Sequence, residues 1–393
     1  MAEKFHKYNK LIRVSLYILV IALAVFMIFF RLGDSKLQTW DEQLYSDCVK
    51  ETLSSGNPFL MKYQGTYFFE KPPLWVYVTE IPASIFGVNN TTVRSVNAVS
   101  ALVILVLVFL IIKRKTKNEF AGMLGVLALL AVQQNFVMNP AGWFGTHNFR
   151  SADLDYFQIM FFVLAFYLIP FVNKNKKYMY LIAFVLGLAI MAKGFVTLLP
   201  AGIIYLYFLV KRKQLNINIK NFAISILIFL LTFLPWHLWM ITVYGKDFID
   251  MYFFKNIVYR STKVIEGHNY PFYFYIKNFL DPRFDAMGII FTSVITYFLF
   301  KLKNKKFDFD YIYPIAMIVG TIGFFTLVVT KISWYILPIF PFFAIMTGYF
   351  FDKIKSHKRV YLIFLIIFLV LFLLGISDSI RLIILQSRNL NLG

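Results

Sequence analysis

Residues 173–213 read NKNKKYMYLIAFVLGLAIMAKGFVTLLPAGIIYLYFLVKRK. Between the basic clusters at 173–177 and 211–213 lies an apolar stretch, 178–210, with a single charge, Lys193. Basic clusters next to apolar spans stay on the cytoplasmic side of a membrane, so the chain between these two must cross an even number of times. One crossing takes about 20 residues. The stretch is therefore expected to make two short or re-entrant helices that meet at Lys193-Gly194. Broken helices of that kind survive in a bilayer only where they line a cavity. The expected fold is an all-α integral membrane bundle.

Composition agrees. Of 393 residues, 59% are apolar, 19% aromatic and only 15% charged, with a mean hydropathy of +0.67. A soluble domain carries about 25% charged residues and has no core large enough to hide this much apolar surface. A soluble enzyme, a disordered chain and a disulfide-stapled secreted domain are excluded. The single cysteine, Cys48, rules out an intramolecular disulfide and a Cys-rich metal or iron–sulfur site.

The parity argument extends along the chain. Clear apolar runs occupy 11–30, 94–112, 119–138, 154–172, 220–242, 285–301, 311–330, 332–351 and 359–376. With the two short crossings of 178–210 they give eleven spans, N-terminus inside and C-terminus outside. Run 11–30 follows a basic leader and is too long for a signal-peptide core, so it reads as an uncleaved first span. Segment 74–90, with Glu80 and Pro82 among its aromatics, does not cross; it is expected to lie in the outer interface as an amphipathic helix. Inside loops then hold 23 Lys+Arg against 5 Asp+Glu, and the remainder 17 against 15. Most of the net charge of +20 is thus a topological signal, helped by anionic lipid headgroups, and not a nucleic-acid surface.

Three outside segments converge on one face: 31–93, 139–153 and 243–284. Long loops usually carry function. The first opens TWDEQLY, with Asp41 and Glu42 as paired acids that act as a base, bind a metal or are simply solvated. It continues YFFEKPPLWVY, where Glu70 and Lys71 precede a rigid Pro-Pro turn; Lys71 either holds a lipid phosphate as a point charge or snorkels. The second reads GWFGTHNFRSADLDYF. Arg150 and Asp153 would share a helical face and pair, while Asp155 points elsewhere. An acid at the mouth of an apolar helix is a functional candidate by default. His147 reads as a loop histidine, since no second His or Cys is spaced to join it in a metal site. In the third segment Arg260 suits bidentate phosphate binding, with His268 nearby; Lys331 and Tyr335 follow in TKISWYILPIFP. Acids clustered in outer loops, with nearly uncharged span centres and no repeat symmetry, favour an interfacial enzyme over a transporter or flippase.

The order of these motifs is more telling than any one of them. DEQLY, FFEKPPL, LAIMAKG, LPWHLWM, EGHNYPFYFY and KISWYILPIFP, spread over about 11–350, resemble the membrane glycosyltransferases of the protein O-mannosyltransferase and lipid A aminoarabinose transferase superfamily. That resemblance implies a GT-C-type polytopic bundle forming one domain over 1–393, without the C-terminal soluble domain of larger relatives. It implies transfer of a sugar from a polyprenyl-phosphate donor to a lipid, glycan or protein acceptor at the outer face of a bacterial inner membrane. Asp41 then matches the first-loop acid with Glu42 beside it, Asp155 or Asp153 the second-loop acid, and Lys71, Arg260 and Tyr335 the donor-phosphate site. Glu70, His268 and Lys331 are further candidates for substrate contact. No metal ligand set is committed, although a divalent ion between acids and phosphate is left open.

Overall fold

The computed structural model describes residues 2–57, 59–136, 146–280, 287–302 and 308–387. Residues 139–145 of the second outer segment, 281–284 of the third and most of the basic cluster 301–306 lie outside the described residues. Among the described residues, every regular element is helical apart from one small hairpin. In order come α1 (Ala2–Phe29), α2 (Asp41–Ser54), strands β1 (Lys62–Tyr63) and β2 (Thr66–Tyr67), α3 (Leu74–Phe86), α4 (Asn90–Thr116), α5 (Glu119–Leu130) and α6 (Asp155–Leu168). There follow α7 (Lys177–Ala192), α8 (Leu198–Val210), α9 (Ile219–Phe248), a π-helix at Ile249–Tyr259 and α10 (Arg260–Thr262). Then come α11 (Phe274–Leu280), α12 (Gly288–Leu302), α13 (Phe309–Leu327), α14 (Ile339–Ile354) and α15 (Lys358–Ser387).

Seven of these helical stretches are long and apolar enough to cross a membrane, and α3, α5, α7, the stretch 195–210 and α12 are shorter apolar helices. The integral membrane bundle is as expected, while the count of eleven crossings leans on the short members. The break at Lys193-Gly194 is where the charge pattern puts it. Helix α7 ends at Ala192 and a 3-10 turn, Phe195–Thr197, leads into α8. Gly194 takes φ 134°, a conformation closed to side chains with a Cβ. Elsewhere the boundaries differ. Helix α5 stops at Leu130 rather than continuing to 138, and α15 runs 30 residues rather than ending at 376. The third outer segment is largely helical, because α9 continues through a kink at Gly245 (φ 50°) into the π-helix.

Helix α14 is the buried axis, with 89% of its apolar window covered by its neighbours. It crosses α5 closely because both present glycine. A Cβ on Gly125 would lie 2.9 Å from the Ala344 carbonyl oxygen, and one on Gly348 2.8 Å from that of Ala121. Small residues at crossings let backbones approach in the way membrane bundles require. Helices α1, α9 and α15 lie at the margin and keep long apolar faces exposed, as lipid-facing helices do. Helix α3 buries Trp75, Val76, Thr79, Glu80 and Ala83 and exposes Ile81, Ile85 and Phe86. That outward apolar face suits an element lying in the interface.

The first outer segment is pinned to α4 by a buried ion pair. Arg94 donates from Nε to Glu42 Oε1 at 2.7 Å and from Nη2 to Oε2 at 2.8 Å. Its remaining hydrogens go to the Leu32, Ser35 and Lys36 carbonyls. Gln38 N and Ala152 N, each at 2.9 Å, complete the partners of Glu42. Arg150 does not pair with Asp153: its loop is not helical, and the guanidinium caps the end of α1 through the carbonyls of Met27, Ile28 and Phe30. The orphan carbonyls of a helix end attract a cation more strongly there than a carboxylate already holding its own donors.

Two expectations follow. Arg94→Met leaves the Glu42 carboxylate buried and unpaired, and unfolding in nanodiscs should show a loss of about 3–5 kcal/mol; the double variant Arg94→Met/Glu42→Leu should recover most of it. With Cys48 replaced by Ala, eleven crossings require single cysteines at Lys174 and Asn216 to label only from inside and one at Gln64 only from outside. Labelling of either inside position by an impermeant external reagent would remove the two short crossings.

Candidate functional site

The acids gather at helix starts. Asp41 opens α2 and Asp155 opens α6, where the unpaired backbone N–H groups and the dipole favour a negative charge. Between them lies His147, with Nδ1 2.7 Å from Asp155 Oδ2 and Nε2 3.1 Å from Asp41 Oδ2. An ionised carboxylate only accepts, so both ring nitrogens donate and the ring is an imidazolium. Burial opposes that charge, but Asp41 and Asp155 overcome it and raise the His147 pKa to about 10. Burial likewise pushes Asp41 up, and His147 more than offsets it, holding the carboxyl below its ordinary value. The Trp334 ring stacks on the imidazolium at 4.0 Å and 8°, a cation–π arrangement that ties the KISWY motif to the second outer segment.

Asp153 has a different place. It is fully buried and accepts from four donors: Asn97 Nδ2 at 3.1 Å, His147 N at 2.8 Å, Asp155 N at 2.9 Å and the Ser151 hydroxyl. It holds the backbone that carries His147 and Asp155. The two acids that the sequence left interchangeable thus separate, with Asp155 in the cluster and Asp153 beneath it.

The other oxygen of Asp155 pairs with Lys193. Gln158 fixes that turn by donating to the Ala189 and Gly194 carbonyls at 3.0 and 3.2 Å. Lys71 is close enough to Lys193 and Arg260 that their charges, after burial, bring its own pKa down to about 8. Three cations crowded together with Lys71 lacking an ion pair among the described residues make an anion site. Lys71 is delivered there by a two-residue hairpin turn, Gln64-Gly65, with φ of 52° and 75°, whose amides donate to Glu51. Glu70 beside it pairs with Lys255 at 3.2 Å.

Arg260 follows the π-helix, a form that recurs at functional sites. Its guanidinium lies beside the Tyr335 hydroxyl and 3.1 Å from Glu266. The strand of chain at 328–332 holds it: Val329 N donates to Ser261 O and Thr330 N to Arg260 O, both at 3.1 Å. His268 and Lys331 join in that stitching, with Lys331 N donating to His268 O at 3.2 Å and Lys331 Nζ to Val328 O at 2.9 Å.

The structure therefore brings Asp41, Asp155, Lys71, Arg260 and Tyr335 into one cluster and places Glu42, His268 and Lys331 in its supports. The reading from sequence had His147 as an ordinary loop residue and Lys193 only as a hinge; both are central. His147, Asp153 and Asp155 offer ligand atoms within 4.8 Å of one another, which is the only metal-like grouping among the described residues. It does not fit a divalent ion well. Asp153 is saturated by four donors, and a metal on Asp155 would displace His147 from one oxygen or Lys193 from the other.

Residues 70–239 match the family model of dolichyl-phosphate-mannose-protein mannosyltransferase. An uncharacterized protein of Aquifex aeolicus (strain VF5) is 27% identical over 92% of this chain and 69% of its own length. The undecaprenyl phosphate-alpha-4-amino-4-deoxy-L-arabinose arabinosyl transferase of Wigglesworthia glossinidia brevipalpis is 26% identical over 90% of this chain and 62% of its own. Among solved structures, ArnT from Cupriavidus metallidurans bound to undecaprenyl phosphate superposes with a TM-score of 0.71 at 20% identity, covering 86% of this chain and 60% of that one. The archaeal oligosaccharyltransferase AglB from Archaeoglobus fulgidus follows at 0.59 and 16%, covering 97% and 56%. The chain spans about three fifths of the length of the named transferases it matches. The fold of this chain is thus similar to that of these membrane transferases, and the stretch 70–239 is where its sequence is similar to the mannosyltransferase family model.

Proposed function

We propose that this chain is a glycosyltransferase that takes a sugar from a polyprenyl-phosphate donor and passes it to a lipid, glycan or protein acceptor at the outer face of the inner membrane. The observation that carries this reading is the meeting of Lys71, Lys193 and Arg260 beside the Asp41–His147–Asp155 chain. An anion site next to fixed carboxylates suits a phosphate leaving group and a nucleophile held on opposite sides of one sugar carbon.

In the proposed step the acceptor oxygen forms a bond to the anomeric carbon. The bond from that carbon to the donor phosphate breaks, and its electron pair leaves on the phosphate oxygen. A single displacement inverts the anomeric centre. Negative charge grows on the phosphate as the bond lengthens; Lys71 and Arg260 stabilise it, with the Tyr335 hydroxyl in reach as a donor. If the acceptor is a hydroxyl, its proton passes to Asp41. The imidazolium makes Asp41 a weak base, so the proton moves late, once the attacking oxygen has become acidic through bonding to carbon. An acceptor phosphate is already ionised, and Asp41 then positions it. Glu42 and Asp153 act through the backbone they hold.

Purified protein given a labelled polyprenyl-phosphate sugar and a membrane extract should release free polyprenyl phosphate. Asp41→Asn should slow release by about 10²–10⁴-fold and Lys71→Gln by about 10²–10³-fold. Silence with every donor, together with movement of the lipid across vesicles, would replace transfer by flipping.

The pH profile tests the electrostatics. The free enzyme loses the Lys71 proton near pH 8, so kcat/KM for the donor should fall above about pH 8, and Lys71→Arg should abolish that limb. His147→Gln removes the cation that depresses Asp41, so burial then raises the Asp41 pKa and the acid limb of kcat should move to higher pH. An acid limb unmoved by His147→Gln would show that Asp41 is not the titrating group.

A further inference from the structure

At the far end of the same helices lies a cavity of about 910 Å³ with six cations in its walls: Arg13, Lys113, Arg114, Lys117, Lys174 and Lys355. One acid, Glu119, joins them. From Arg94, which holds the first outer segment, to Arg114 in this cavity α4 rises about 30 Å at 1.5 Å per residue, a full hydrocarbon thickness. The cavity is thus at the opposite face of the membrane from the Asp41–Lys71 cluster and is separate from it. Its volume is within the range of about 300–1,000 Å³ typical of ligand sites.

Its charges are only partly matched within the chain. Glu119 pairs with Lys113 at 2.7 Å and Lys355 with Asp352 at 2.6 Å. Arg114 donates from Nη1 to the Tyr167 carbonyl at 2.7 Å. Its Nη2 is buried without a hydrogen-bond partner and stays 4.0 Å from Asp310 Oδ1. A buried guanidinium nitrogen with no acceptor is costly, and an anion oxygen in the cavity supplies one. Lys117, in a left-handed cap at the end of α4, and Lys174 make no ion pair among the described residues. One wall is apolar, from Leu16 of α1 and Phe120 of α5, both exposed towards the lipid.

We infer that this cavity binds the phosphate headgroup of an anionic membrane lipid, with Arg114, Lys117 and Lys174 around the phosphate and the acyl chains leaving along Leu16 and Phe120. Cations alone would suit a soluble phosphate equally. The apolar wall opening towards the bilayer selects a phosphate that carries hydrocarbon, and basic pockets between helices on the cytoplasmic side take headgroups of this kind.

The test is native mass spectrometry of the full chain extracted in detergent and offered equal amounts of phosphatidylglycerol and phosphatidylcholine. Wild type should retain one phosphatidylglycerol with at least about tenfold preference, since each cation near a headgroup contributes several-fold. Lys117→Gln/Lys174→Gln, at positions without ion pairs, should lower that preference at least about fivefold, whereas Lys211→Gln/Lys213→Gln, outside the cavity, should leave it unchanged. Equal retention of the two lipids, or equal loss in both double variants, would overturn the site. A second arm follows acylation of Lys117 and Lys174: phosphatidylglycerol should protect them and inorganic phosphate alone should not. Protection by inorganic phosphate without lipid would assign the cavity to a soluble anion instead.

Discussion

The imidazolium of His147, donating to Asp41 on one side and Asp155 on the other, joins three parts of the chain that are far apart in sequence. Helix α2 belongs to the first outer segment, α6 to the wall of the bundle, and Trp334, stacked on the ring, to the entry of α14. Two carboxylates brought together at the mouth of an apolar bundle repel each other and resist burial. A cation between them removes both costs at once and fixes their separation. Lys193 repeats the device on the second oxygen of Asp155, which explains why a charge stands alone in the break between α7 and α8. The hinge is broken there so that the ammonium reaches the acid.

Positions around this chain of charges are set by polar contacts that do no chemistry themselves. Glu42 and Arg94 consume each other's hydrogen-bonding capacity in a buried network completed by the Leu32, Ser35 and Lys36 carbonyls and the Gln38 and Ala152 amides, Asp153 consumes four donors, and Arg150 closes the end of α1. Glu42 and Asp153 are thereby satisfied, as a buried polar group must be, so neither acid is free for a substrate. What stays unmatched is positive: Lys71, beside Arg260 and Lys193. The site is thus built with its negative charges neutralised internally and its positive charge left over for an anion.

Much of this was legible in the sequence because charge parity and apolar length are long-range constraints that act on whole segments. They located the break at Lys193-Gly194 and kept α3 out of the span count. They did not give helix ends: α5 is cut short at Leu130, where the chain must turn towards the site, and α9 persists past its apolar window through Gly245 into the π-helix. Single residues were legible in proportion to how exceptional they look alone. Asp41, Lys71 and Arg260 stand out as charges in aromatic loops. His147 does not, because its role depends on Asp41, 106 positions away. Glu42 looks like a twin of Asp41, yet on helix α2 adjacent residues point about 100° apart, so one meets His147 and the other meets Arg94.

That geometry also explains the direction of the whole molecule. Asp41 and Asp155 both sit in the first turn of a helix, where the dipole supports negative charge, and α4 ends in Lys113, Arg114 and Lys115, where it supports positive charge. The helix orientation that keeps basic residues on one side of the membrane is therefore the same orientation that lets carboxylates survive at the mouth on the other side. Topology and site chemistry draw on one electrostatic asymmetry. Reversing a helix such as α4 would cost both at once: Asp153 and Glu42, which hold the site's backbone, would lose Asn97 and Arg94, and Arg114 would move to the opposite face without the carbonyl of Tyr167. A sequence under that double constraint has few ways to change its charge pattern, which is why reading the charges along the chain recovers so much of the fold.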